Sequence, residues 1–207
     1  MKREKKKPQR SLRTISREEP TRDEMLEMLR ESWRGSDLMA AIIPCVHLQD
    51  AIAQLIIAHF PRTDKDVIEG LYERDGPLST FFSQIQLGYA MGLFDRDVKR
   101  DLDTIRHIRN GFAHSLKPLR FTTPEVEREV RRIKSGVATR TLVGVPKPTE
   151  SRSCYLVSVS NLATHFWRLT TERHDLAIQN MKRRMRSASR SKTKAALAPQ
   201  LPFPKKS

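Results

Sequence analysis

Between Asp103 and His114 the chain carries Arg109, Asn110 and His114 on one predicted helix: a permanent cation, a hydrogen-bonding amide and a group that can move a proton near neutral pH. On a helix each residue turns about 100°, so Asp103, Arg106, Asn110 and His114 line one polar stripe that suits a partner contact. Arg109 projects instead beside the apolar positions Leu102, Ile105 and Phe112, where an unpaired guanidinium is costly to bury. It therefore calls for an acid from a neighbouring helix, a carbonyl, or a site. Arg109 and His114 lie about 140° apart on an ideal helix. A catalytic pair would need a distortion at Gly111 or a residue from a second protomer. The structural alternative is that Asn110 and His114 hydrogen-bond the end of their own helix and hold Ser115 to Leu119 in place.

The elements that must position these residues are all helical by pattern. Thr21 and Glu24 spell a capping box, and Met25, Leu26, Met28, Leu29 and Trp33 follow at helical spacing before Gly35. Apolar density peaks from Asp37 to Phe60, the predicted central helix, in which Pro44 either begins a turn or kinks a longer helix. A short helix follows from Asp64 to Tyr72, then Asp75-Gly76-Pro77 breaks the chain ahead of a core helix with Leu78, Phe81, Phe82, Ile85, Leu87, Tyr89 and Leu93. Asp95 can cap the helix whose stripe is Val98, Leu102, Ile105, Ile108 and Phe112, and Thr123-Pro124-Glu125 starts another. Residues 135–150 form a loop or a short hairpin through Thr139 to Val143, and a long last helix runs from about Cys154 to Met185. His47 and His59 read as satisfied core or edge histidines, and Trp33 and Trp167 as packing anchors. The expectation is an all-α, single-domain helical bundle over 21–181.

The formal charge of +15 needs locating before it is interpreted. Residues 1–22 hold nine Lys/Arg against three Glu, and residues 182–207 hold nine Lys/Arg and no acid, which accounts for the whole excess. The chain between is formally neutral. Residues 1–20 and 182–207 are poor in apolar side chains and are expected as disordered basic tails. Lys182, Arg183, Arg184 and Arg186 could neutralise nucleic-acid phosphates, giving salt-sensitive and sequence-blind affinity. Cys45 and Cys154 have no ligand or disulfide spacing, so neither a metal site nor a cofactor is implied. No apolar h-region follows the basic start and no run reaches the roughly 18–20 apolar residues of a membrane span, so a cytoplasmic protein is expected.

The segment Gly76-Pro77-Leu78-Ser79 through Ile85, Leu87, Tyr89, Ala90, Gly92 and Leu93, and on through Asp101 to His114, resembles the mannitol operon repressor family. The likeness spans about residues 23–134. It implies an all-helical transcriptional regulator with no recognised helix-turn-helix, acting through a protein partner or a homodimer. The spelling Arg109-Asn110-x-x-x-His114 is also similar to helical HEPN-type ribonuclease domains. That likeness implies His114 as general acid/base, Arg109 as clamp on the phosphorane and Asn110 as orienting group, across a dimer interface and without metal. The sequence thus supports a protein-binding regulator, with a metal-independent ribonuclease and a tail-mediated nucleic-acid binder as alternatives.

Overall fold

In the computed structural model, residues 21–73, 75–134 and 150–196 are described. Helix α1 (Arg22–Arg34) begins at the expected capping box: the Thr21 side chain accepts from the Glu24 backbone and the Glu24 carboxylate accepts from the Thr21 N–H at 2.8 Å. Ser36 caps α2 (Asp37–Ile57), which is apolar on nearly every side and buries Ala40, Ala41, Cys45, Leu48, Ala51, Ile52, Leu55 and Ile56. Pro44 sits buried inside this helix rather than at its start. By length and composition α2 could cross a membrane, yet 56% of its apolar window is buried inside the bundle.

Around α2 pack α1, α4 (Phe81–Ala90), α5 (Arg96–His114) and, most extensively, α7 (Ser151–Ala196), while α6 (Pro124–Val130) bridges α5 and α7. The short α3 (Lys65–Tyr72) buries no residue and is tied to α2 by Tyr72 Oη donating to the Ala53 carbonyl. Two glycines make the α4–α5 corner. Gly92 adopts φ +70°, which costs a Cβ-bearing residue, and a Cβ on Gly88 would lie 2.6 Å from the Phe94 ring. Asp95 then caps α5 by accepting from the Val98 N–H at 2.8 Å.

Every element among the described residues is helical, as the periodicities predict. Residues 171–183 of α7 are exposed, and the basic tail expected by composition begins within this stretch. Two expectations need correcting. Trp33 is 46% exposed and anchors no core, whereas Trp167 does pack against it. Phe82, expected in the core with Phe81, is 50% exposed. Residues 1–20 and 197–207, and the loop or hairpin expected over 135–150 apart from Glu150, lie outside the described residues.

Three polar ties lock the helices in register. Arg152, near the start of α7, bonds Asp37 Oδ1 at 3.0 Å and donates to the carbonyls of Ser32, Trp33 and Gly35 at 3.1, 3.2 and 2.6 Å. A cation is thus set against the negative end of α1, where the last carbonyls lack helical partners. Asp37 Oδ2 also accepts from the Phe121 N–H at 2.9 Å, fixing the chain between α5 and α6. Buried Asp101 accepts from the Lys134 N–H at 2.9 Å, and buried Tyr155 donates to the Ala41 carbonyl at 2.9 Å.

Replacing Arg152 by methionine keeps much of the stem but leaves three helix-end carbonyls and Asp37 without their donor. The expected loss is about 2–4 kcal/mol, read from the urea midpoint. Arg131→Met, which removes an exposed pair with Glu127, should leave the midpoint unchanged.

Candidate functional site

Helix α5 presents two chemically distinct sides. Its inner side buries Leu102, Ile105, Ile108 and Phe112, together with Asp101 and Thr104. Its outer side carries Lys99, Asp103 and Arg106. Lys99 Nζ donates to Asp103 Oδ2 at 2.8 Å, while Arg106 Nε lies 3.9 Å from Asp103 Oδ1, an ion pair without a hydrogen bond. The two cations also reach across to α4: the Arg106 guanidinium lies over the Phe82 ring at 5.2 Å and Lys99 lies 5.9 Å from the Tyr89 ring centre. Sequence periodicity assigns Phe82 to the core because it is apolar and next to Phe81. The signal that it faces outward is the cation supplied by another helix, which no single-helix pattern contains.

An open cleft of ≈ 580 Å³ continues this face between α4, α5 and the end of α6, lined by Tyr89, Arg96, Lys99, Asp103, His107 and Arg132, among others. Most of its charges are already paired. Arg100 bonds Asp97 at 2.7 Å, and Arg132 grips both oxygens of Glu129 at 3.0 Å. Among the described residues no group of three or more His, Cys, Asp or Glu is placed to hold a metal ion.

The expected polar stripe Asp103, Arg106, Asn110, His114 is therefore divided. Asp103 and Arg106 belong to the outer face. Asn110 is taken by its neighbour, accepting through Oδ1 from Arg109 Nη1 at 2.9 Å. This corrects the expectation of an acid on a neighbouring helix as the partner of Arg109: a neutral amide on the same helix takes that place. His114 is the exposed last residue of α5 and has no hydrogen bond among the described residues. The turn after α5 is held by Ser115 instead, which donates to the Lys117 carbonyl at 2.7 Å and accepts from the Lys117 N–H. Among the described residues no hydrogen bond joins Arg109 to His114. His59 is satisfied by the Leu55 carbonyl at 2.9 Å, whereas buried His47 Nε2 lacks a partner among the described residues, and burial lowers the His47 pKa.

The Arg109 charge acts on a buried pair behind it. Cys45 Sγ lies 3.4 Å from Tyr155 Oη in the core. Burial pushes the Cys45 thiol up to about 11, with the Tyr155 hydrogen bond and the Arg109 charge pulling the other way. Burial likewise raises Tyr155 well above its ordinary value. Both groups are neutral in the fold and ionise more readily once unfolded. The Cys45 contribution to stability is therefore complete below pH 9.0, the ordinary thiol value, and is lost as pH rises to about 11.

The thermal midpoint should fall through that window, and a thiol reagent at pH 8 should modify Cys45 only after denaturation, as peptide mapping would show. Arg109→Ala should cost about 1–2 kcal/mol in urea unfolding, and His114→Ala should cost nothing measurable. Equal effects of the two substitutions would contradict this division of roles.

Comparison with known proteins bears on the same chain. No curated protein matches it significantly. Among solved structures, the MtlR–HPr complex from Escherichia coli contains a chain that superposes with a TM-score of 0.55 at 20% identity, covering 69% of this chain and 97% of that one. That likeness shows the shared helical fold. The family model described as mannitol repressor, MtlR, matches residues 21–191, which takes in the seven helices of the described residues up to the basic end of α7. With so much of its length matched, the chain belongs to the mannitol repressor family of transcriptional regulators.

Proposed function

We propose that this regulator acts by docking a folded protein on the outer face of α4 and α5, with the HPr protein as the partner. The observation that carries the reading is the pair of exposed aromatics, Phe82 and Tyr89, each with a cation from α5 over its ring. Protein interfaces are enriched in aromatic residues and arginine, and their binding energy concentrates in a few such anchors. Holding Arg106 and Lys99 against rings and Asp103 lowers the side-chain entropy that binding must remove. The solved relative is itself a complex with HPr, which supports that choice of partner. A neutral folded body with its excess charge at the ends suits contact through such a patch better than wholesale attraction to a polyanion. Such a regulator works in the cytoplasm.

Calorimetry with purified HPr from the same host tests the proposal. A saturable complex is expected, weakened roughly 10- to 100-fold by Phe82→Ala or Arg106→Ala at unchanged thermal stability. Undiminished affinity in both variants would move the docking site elsewhere, and absence of any complex would remove HPr as the partner.

A further inference from the structure

Beyond the bundle, α7 keeps a one-sided pattern with nothing packed on it. Thr170 is its last buried residue, and every residue from 171 to 183 is exposed. At about 100° per residue, Trp167, Thr171, His174, Ala177, Ile178 and Met181 fall within an arc of about 120°. No Lys, Arg, Asp or Glu between 167 and 181 shares that arc. Thr171 donates its hydroxyl to the Trp167 carbonyl at 3.0 Å, so its polar group is spent on its own helix. The charged residues lie on the other side, where Arg168 and Glu172 pair at 3.8 Å. Trp167 packs against the core, so the stripe begins as a packing surface. It then runs about 15 Å further, from Thr171 to Met181, with Ile178 46% and Met181 57% exposed. A helix that touches nothing gains nothing by gathering its uncharged residues on one side.

We infer that this face pairs with the same face of a second copy of the chain, the two α7 helices running antiparallel about a two-fold axis. A two-fold contact joins a patch to itself, so the patch must complement its own reversed image. Asp175 and Lys182 meet that requirement. They carry opposite charges and, two turns apart, lie on the same edge of the stripe. Antiparallel pairing sets Asp175 of each copy against Lys182 of the other, while Ile178 and Met181 of both copies pack between the two charge pairs. Parallel pairing instead brings Asp175 to the opposite edge of the stripe, where Thr170 and Ala177 carry no charge. The seam is short. It buries less than the roughly 1,200 Å² at which stable interfaces begin, so the dimer exchanges with monomer at micromolar concentrations. It uses no residue of α4 or α5, and is therefore independent of the docking face proposed there.

Sedimentation velocity of the full-length protein across the micromolar range tests this, and a reversible monomer–dimer equilibrium is expected. Ile178→Glu should weaken the dimer about tenfold or more. Leu176→Glu alters an equally exposed apolar residue on the opposite side of the helix and should leave the dimer unchanged. Asp175→Lys sets two lysines together and should weaken the dimer about three- to tenfold, while the exchanged pair Asp175→Lys, Lys182→Asp should restore it. All four variants change exposed positions, so each should keep the parental thermal midpoint in dilute solution and the parental HPr affinity. That separates failure here from failure of the docking face. A monomer at every concentration, or parental dimerisation by Ile178→Glu, overturns the proposal. An equal loss in Leu176→Glu overturns the choice of face, and no recovery in the exchanged pair overturns the antiparallel arrangement. Lost HPr affinity in Ile178→Glu would make HPr the occupant in place of a second copy.

Discussion

Arg152 brings one guanidinium to the point where the end of α1, the start of α2, the link after α5 and the start of α7 converge. Each of those segments ends or begins a helix, so each carries backbone groups that its own helix cannot satisfy. Asp37 and Arg152 satisfy them together, partly out of water, where charge-assisted hydrogen bonds are strongest. The long packing of α7 on α2 starts from this junction. Its register sets Tyr155 opposite Cys45 and Ala41, and stacks Phe121 between Phe112 and Tyr155 at centroid distances of 5.0 and 5.2 Å. The inner side of α5 closes on that aromatic column. What α5 offers to solvent follows from how it is seated.

The division of α5 explains why its polar residues do unrelated work. Side chains that point between the inner and outer faces, Arg109 and Asn110, satisfy each other and place a positive charge near a buried thiol and phenol. Side chains one step further round meet α4 and compose a patch of rings, cations and a carboxylate. The run that reads as a single motif is a seam between a packing role and a surface role.

Local features of the fold were legible in the sequence, because helix capping is decided within four residues: Thr21, Asp95 and Thr123 all stand at the helix starts expected of them. The family likeness rested on the same central helices. Features joining distant parts of the chain were not legible. Arg152 and Asp37 are 115 positions apart, and nothing in the local pattern of either marks the other. Phe82 was misplaced because an apolar residue beside a core residue carries no sign of which cation lies over it.

Helix α7 has a mechanical consequence. Its buried part and its exposed part through Arg183 form one unbroken α-helix, so a rotation where it leaves the core is carried along that length. From Thr170 to Arg183 is about 20 Å, and a tilt of about 10° at the base would sweep that point by about 3 Å. A small repacking within the bundle thereby becomes a displacement outside it, with α7 as the lever and the Arg152 junction as its fulcrum.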